Sequence, residues 1–257
     1  MRFTGKHLTN ERGSIALFTV FLLGVSFVAA IVLFYVFSVH TEKRQSQNIA
    51  DAVALAAADV LGDAFTQEMM DSVAENLLLL NDEIDSSEEE EPEPSDAPPL
   101  SATPDSSEEE EPTDPPKSKE DKLRELLDST VLVTKLMNGT FDLEKDWILV
   151  VEEPYFADDY TARKNGDRLY DAFLHNAGDI EAVARQMVDR NKGERSGTVI
   201  SFPMDGEPAL QVDAFNKVQF EAVVHVEDVL GARSASSVSS SHFNIDVSMK
   251  TVKEIRL

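Results

Sequence analysis

The sequence predicts an α+β protein with a single N-terminal transmembrane helix that continues as a long helix. Residues 14–39 contain no charged side chain. Residues 40–80 are rich in alanine and free of proline, and their apolar residues recur mostly three to four positions apart, which is the helical period. Beyond residue 117, helical patterns precede segments in which apolar and polar residues alternate. We therefore expect a mostly antiparallel sheet covered by helices.

The segment at residues 14–39 is long enough to cross a bilayer as a helix. At roughly 1.5 Å per residue it spans about 39 Å, whereas the hydrocarbon core of a membrane is about 30 Å thick. A soluble core helix is rarely apolar all round over such a length. A cleaved secretory signal has a shorter apolar region followed by small residues, and the sequence FSVHTEKR at the end of this segment offers no such site. We therefore expect an uncleaved membrane anchor.

The flanking charges indicate the orientation of this anchor. The cationic residues are Arg2, Lys6 and Arg12 before the segment and Lys43 and Arg44 after it. Because cytoplasmic flanks carry the excess of lysine and arginine, this difference favours a cytoplasmic N-terminal tail at residues 1–13. We therefore expect a single-pass protein of the cell membrane, with everything after His40 outside the cytoplasm.

Most of the excess negative charge lies in one segment. The chain has 48 acidic and 23 basic residues, a net charge of -25 that argues against nucleic acid or an anionic membrane surface as partner. Between Asn81 and Pro116 there is no lysine or arginine, and the acidic octapeptide DSSEEEEP occurs twice. Such a composition cannot offset chain entropy, so we expect residues 81–117 to be a disordered, extended linker. Diffuse calcium binding is the alternative, although the loop pattern of a defined calcium site is absent from the sequence.

Residues 118–257 have the patterns of a folded domain. Helices are expected at KEDKLRELLDS and at about residues 167–176 and 179–190. Strands are expected at TVLVTKLM and DWILVVEE around the turn Asn138-Gly139, and at ALQVDAF, KVQFEAVVHVEDV and HFNIDVSMKTV. The sequence MDGEP at residues 204–208 predicts a hairpin turn.

The sequence offers no catalytic constellation. It contains no cysteine and lacks the common hydrolase, metalloprotease and nucleotide-binding motifs. His225 and Glu227 lie on one face of an expected strand and would suit zinc with His242 as third ligand, but a solvated strand face explains them more simply. We therefore expect no enzyme activity, no metal site and no cofactor, and the sequence identifies no small-molecule substrate.

The first 61 residues carry the remaining functional information. Arg12-Gly13 precedes the apolar run, and the sequence QNIADAVALAA at residues 47–57 follows it, behind Arg44. This region resembles the N-terminal region of the TadE/TadG-like Flp pilus-assembly proteins, whose signature runs Gln-Asn-Ala-Ala-Asp-Ala-Ala-Ala-Leu-Ala-Ala. Larger members carry a von Willebrand A-type domain with an Asp-x-Ser-x-Ser metal site. We expect no such domain here, because the nearest match, residues 246–250, lacks the last serine.

The resemblance implies that the alanine-rich helix packs beside the helices of other pilus-assembly or pseudopilin proteins. Small side chains let helix backbones approach closely, and polar groups in such a seam set its register. The expected assembly residues are Gln47, Asn48, Asp51, Ala54 and Ala57. In the alternative interpretation Asn48 and Asp51 face water, and Ala57, Val60 and Ala64 pack on the protein's own C-terminal domain.

The sequence therefore predicts a non-catalytic, membrane-anchored component of a Tad/Flp-type pilus or secretion apparatus, with its domain outside on an extended acidic tether. The alternative is an extracytoplasmic binding or enzymatic domain that uses the helix only as an anchor. A third interpretation makes the acidic segment itself the functional part. Protease is expected to cut within residues 82–116 and to release the domain.

The resemblance also raises the question of processing between Gly13 and Ser14, where the sequence is similar to a prepilin peptidase site. Prepilins carry a glutamate at the fifth mature position, and here that position is Phe18. A glutamate buried in a membrane is costly and is retained where a partner compensates it. We therefore expect the N-terminus to stay unprocessed.

Overall fold

The chain folds into one very long helix followed by a unit of shorter helices and a sheet. The computed structural model describes residues 11–86, 118–193, 197–220, 226–238, 240 and 242–257, and it describes only the backbone of residues 11–14, 216–220 and 226–230. The part of the expected acidic linker beyond residue 86 lies outside the described residues. Helices and an antiparallel sheet are both present, so the predicted α+β class is confirmed.

Helix α1 runs without interruption over Glu11–Ser86, 76 residues, which is about 114 Å at roughly 1.5 Å per residue. The prediction that the apolar segment continues as a long helix is confirmed. The helix extends beyond its expected end at residue 80 because the rest of the protein holds its last turns. Ile84 is 2 % exposed, and Lys122 Nζ donates to the Ile84 carbonyl oxygen at 3.3 Å. Residues 81–86, expected to belong to the linker, are therefore helical.

The shorter helices are α2 (Lys119–Leu126), α3 (Thr130–Met137), α4 (Leu143–Val151), α5 (Ala162–His175) and α6 (Ala177–Arg190), with a 3-10 turn at Pro154–Phe156. Helix α2 confirms the helix predicted at KEDKLRELLDS. Helices α5 and α6 confirm those predicted near residues 167–176 and 179–190.

The strands predicted at TVLVTKLM and DWILVVEE are wrong, because these segments form α3 and α4. Each helix begins at a side-chain cap. The Ser129 hydroxyl accepts the amide hydrogen of Leu132, and the Asp142 carboxylate accepts that of Glu144. Gly139, at φ 63°, takes the left-handed conformation that commonly follows a helix. Short apolar runs fit a buried strand or a buried helix equally well, and here the side-chain caps favour the helix.

The sheet consists of β1 (Thr198–Phe202), β2 (Ala209–Phe220), β3 (Val226–Ser237) and β4 (Lys253–Arg256). The strand order is β3-β2-β1-β4 and every neighbouring pair is antiparallel, as predicted. The expected turn at residues 204–208 is confirmed, since Met204 and Glu207 form a bridge between β1 and β2. The segments ALQVDAF and KVQF, predicted as parts of two strands, are one continuous strand, β2.

The segment HFNIDVSMKTV does not form the predicted strand, and it contains a turn at Ser248 and Met249. Exposed residues alternate with partly or fully buried ones from His242 as far as Val247, which is buried. The segment lies on the start of α5, which provides the hydrogen bonds that a neighbouring strand would provide. The amide of Asp246 donates to the Ala162 carbonyl oxygen at 2.8 Å, and Asn165 Nδ2 donates to the Asn244 carbonyl oxygen at 3.1 Å.

Gly166 makes this close approach to α5 possible, because a Cβ there would lie 1.8 Å from the Asp246 carbonyl oxygen. We expect Gly166→Ala to lower the free energy of unfolding by about 1–3 kcal/mol, the usual cost of overpacking. Gly178→Ala in α6 is the matched control, since a Cβ there meets nothing within 4 Å and alanine favours a helix. Thermal unfolding of both variants in detergent is the measurement. Equal midpoints for the two variants would contradict the packing described here.

Helix α1 is the central element of the folded unit, and one hydrophobic core joins it to the other helices and the sheet. Its buried row comprises Val53, Ala57, Leu61, Phe65, Met69 and Val73. Because four residues advance a helix by about 40° beyond a full turn, this row winds around α1. Different elements therefore cover it in succession. Gln45 bonds to the end of α6, Ser72 bonds to α5, and Ile84 lies beside α2.

Residues 118–257, expected to form a domain of their own, share one hydrophobic core with α1. The two ends of the acidic segment meet at one place. Lys119 Nζ donates to Asn81 Oδ1 at 2.6 Å and lies 3.4 Å from Asp85 Oδ1. Tyr155 donates to the Glu83 carboxylate, and this bond raises the pKa of Tyr155 to about 12. The last turns of α1 and the first turn of α2, on either side of residues 87–117, therefore lie next to each other.

Candidate functional site

The first functional feature is the part of α1 that the protein leaves uncovered. Large apolar side chains between Ile15 and Phe37 are mostly half exposed or more, with Leu17 at 75 % and Phe37 at 70 %. The mean hydropathy of this region reaches 2.7, and the protein buries none of it. Among the described helices, α1 is the one long and apolar enough to cross a membrane. This part of α1 is therefore suited to anchor the protein in a bilayer.

The folded unit begins almost directly after this apolar run. Gln45 Nε2 donates to the carbonyl oxygens of Asn191 and Lys192 at 3.1 Å and 3.3 Å, at the end of α6. A Cβ at Gly193 would lie 2.7 Å from Ile49 Cδ1, so glycine allows the end of α6 to approach α1 closely. Gln45 follows the end of the apolar run by six residues, about 9 Å of helix. The end of α6 therefore lies beside the place where the membrane would end.

Polar contacts farther along fix the register of α1 within the unit. Arg168 on α5 donates through Nη2 to Ser72 Oγ at 2.8 Å, and its guanidinium lies 5.2 Å from the ring centre of Tyr160. Asn76 Nδ2 donates to the Tyr160 hydroxyl at 2.9 Å. Burial raises the pKa of Tyr160. Ser72 and Asn76 thus set the register of α1 against its own folded unit. The sequence had suggested such a role for polar side chains in contacts with partner proteins.

The expected assembly residues lie on two different faces of α1. Gln47, Asn48 and Asp51 are exposed, whereas Ala54 is 1 % exposed and Ala57 is fully buried. Both alanines belong to the hydrophobic core that joins α1 to the other helices and the sheet, and small side chains permit close packing there. The structure therefore places Ala57 as the alternative interpretation did, on the protein's own folded unit. Neither alanine is accessible to a partner helix in this fold.

A second row of α1 residues faces solvent on the side away from the buried row. It comprises Asp51, Leu55, Asp59, Asp63, Gln67, Asp71 and Glu75, again at four-residue steps, and we call it the outer ridge. Five of these seven residues are acidic, and Leu55 is 70 % exposed. Sequence reasoning missed the ridge because it weighted the small residues of this helix. The regular spacing of the acids was the available signal.

At the far end of α1 a hollow of about 340 Å³ lies between α1, α2 and α3. Leu80, Leu123 and Met137 line it, together with other aliphatic residues. Lys119 is the one titratable side chain in the lining, and it is bonded to Asn81. The hollow is therefore mostly apolar and contains few polar or charged groups.

The residues of the zinc hypothesis are only partly described. His225 lies outside the described residues, and Nδ1 of His242 lies 2.8 Å from Oε1 of Glu152. Within the described ranges, no group of three or more histidine, aspartate or glutamate residues is placed to hold a metal ion. Gly13 and Ser14, the residues of the processing question, lie in the first turn of α1.

Residues 13–60 match the family model Tad, described as TadE/G-like Flp pilus-assembly. Neither a curated protein nor a solved structure matches the chain significantly. The resemblance seen in the sequence is therefore confirmed for the N-terminal region. The matched segment covers the uncovered apolar run and also the first turns of α1 that enter the core of the folded unit.

Proposed function

We propose that this protein is a non-catalytic, membrane-anchored component of a Tad/Flp-type pilus or secretion apparatus. The observation that carries the proposal is the continuity of α1 through the segment that matches the pilus-assembly family, from the apolar run into the core. A helix that is both an anchor and a core element fixes the position of the folded unit relative to the membrane. A fixed position of this kind suits an assembly component, whose surfaces must contact partners in a defined geometry.

In the proposed orientation the N-terminal tail is cytoplasmic and the folded unit is extracytoplasmic. The excess of flanking cations on the N-terminal side supports this orientation. An unprocessed N-terminus belongs to the same proposal, because Phe18 occupies the position at which prepilins carry a glutamate.

Partners are expected to contact the outer ridge, together with Gln47 and Asn48, because these residues are exposed and the alanines are not. The ridge is strongly acidic, so a partner surface must supply positive charge or hydrogen-bond donors to match it. Leu55, near the membrane end of the ridge, adds an apolar side chain that a partner can cover.

Site-specific crosslinking tests this proposal, and the absence of cysteine from the chain allows a single reactive position to be introduced. Leu55→Cys with a photoreactive label is expected to form adducts with co-expressed pilus-assembly proteins of the same apparatus. Glu144→Cys, exposed on α4, is the matched control and is expected to form few. Adducts of equal yield from both positions, or none from Leu55→Cys in membranes that contain the assembled apparatus, would contradict the proposal.

A further inference from the structure

We propose that the membrane-proximal end of the folded unit binds the phosphate headgroups of anionic lipids. The surface consists of four exposed cations, Lys43 and Arg44 on α1 and Arg190 and Lys192 at the end of α6, and we call it the basic collar. This inference rests on the proposed anchoring of α1 in a membrane, and it adds a specific lipid partner to that function.

The fold brings the two halves of the basic collar together from distant parts of the chain. Gln45 Nε2 donates to the Asn191 and Lys192 carbonyl oxygens across 146 and 147 residues of sequence. Arg190 and Lys192 therefore lie at the level of Lys43 and Arg44. The same bonds satisfy carbonyl oxygens at the C-terminus of α6, which would otherwise present partial negative charge to the bilayer.

The position of the basic collar corresponds to the headgroup layer. Lys43 and Arg44 follow the apolar run by four and five residues, about 6–8 Å of helix, and the interfacial layer outside the hydrocarbon core is of that thickness. Side chains on a helix lean toward its N-terminus, which for α1 is the membrane side. Arg44 lines a hollow with Phe37 and His40. Its stem can thus lie along apolar surface while its guanidinium reaches the phosphates.

The charges of the basic collar are available for this contact. Within the described part of the chain, none of its four side chains takes part in an ion pair. Among the described residues, the acids adjacent to the basic collar in sequence are Glu42 on α1 and Asp189 on α6, and each of them has an interaction of its own. The first acid of the outer ridge, Asp51, is farther from the membrane by about two turns of helix.

Charge complementarity therefore selects an anionic lipid surface, although the net charge of -25 argued against one. Net charge is an average over the whole chain, whereas charges more than about 10 Å apart are largely screened at physiological salt. The fold concentrates at the end nearest the membrane four cations that form no ion pair with the described residues. Each basic residue held near an anionic bilayer adds to the attraction, so the basic collar should restrain the tilt of the folded unit on the membrane.

The test uses the full chain in lipid nanodiscs. Gln186→Cys, at an exposed position on α6 near the basic collar, carries the only attached fluorescent label. Discs contain phosphatidylcholine alone or with phosphatidylglycerol, and a nitroxide on the lipid headgroups quenches the fluorophore. We expect quenching to increase by about twofold or more when phosphatidylglycerol is present, because the collar draws α6 toward the headgroups. High salt should remove the increase.

In the double variant Arg190→Gln with Lys192→Gln, phosphatidylglycerol should no longer increase the quenching. This variant retains Lys43 and Arg44, the cations that flank the anchor in sequence. Arg124→Gln with Lys145→Gln, which removes two exposed cations away from the collar, should keep the increase. Equal quenching in both lipid mixtures, or an increase that persists in the collar variant, would overturn the inference while leaving the anchor in place. Failure of the chain to insert into the discs would overturn both the anchoring and the inference.

Discussion

Replacing Ala57 with phenylalanine is expected to unfold the protein at a clearly lower temperature, whereas Leu55→Phe should have almost no effect. Ala57 is fully buried and Leu55 is 70 % exposed, although they are only two positions apart. A phenylalanine at position 57 must displace the side chains and elements that pack on α1 there, which costs about 1–3 kcal/mol or more. For a folded unit of this size, such a cost corresponds to a midpoint lower by roughly 3–10 °C. An exposed substitution such as Leu55→Phe usually changes stability by less than about 0.5 kcal/mol.

The fluorescence of Trp147 provides the measurement. It is the only tryptophan in the chain. Its ring centre lies 6.0 Å from that of Phe243, which in turn lies 5.8 Å from that of Phe65 on α1. Its emission therefore reports whether α1 is docked. If Ala57→Phe left the transition unchanged but abolished crosslinking to co-expressed pilus-assembly proteins, Ala57 would face partners and the packing described here would be contradicted.

The elements that could be predicted from the sequence are those with long or regular patterns. The apolar run and its helical continuation extend over many turns, and α5 and α6 have clear helical periodicity. The alternation in β2 and the glycine turn before it were sufficient to predict an antiparallel hairpin. In each case the local sequence contains the determining information.

The elements that could not be predicted depend on contacts between distant residues. Segments α3 and α4 are short apolar runs whose state depends on the caps at Ser129 and Asp142. The segment after His242 alternates like a strand, but its backbone partners lie on α5, close to Gly166. Small residues such as Ala57 permit close packing of any kind, so their presence does not reveal whether the neighbour is another protein or the chain's own sheet.

The candidate surfaces were only partly visible in the sequence for the same reason. Gln47, Asn48 and Asp51 were singled out and are exposed, but the outer ridge that continues from them depends on which face of α1 the core covers. Only half of the basic collar could be identified from the sequence. Lys43 and Arg44 follow the apolar run directly, whereas Arg190 and Lys192 join them only because α6 runs back along α1 toward the apolar run.

If α1 is both the membrane anchor and the core helix of the folded unit, a chain cut within residues 87–117 should keep its two fragments bound to each other. Leu61, Phe65 and Met69 are buried in the shared core, and each such side chain stabilises the folded state by about 1.5–3 kcal/mol. The two fragments should therefore remain together after the covalent link is broken. This differs from the release that the sequence alone led us to expect.

The measurement is co-purification after cleavage at a specific protease site inserted within residues 87–117, in detergent, with a tag on the C-terminus. Denaturant should separate the two fragments and so establish that cleavage is complete. Without denaturant, we expect the fragment ending in α1 to be retained in equal amount with residues 118–257, and the emission of Trp147 to match that of the uncut chain. Recovery of the tagged fragment alone, folded and with unchanged emission, would contradict the claim that α1 forms the core.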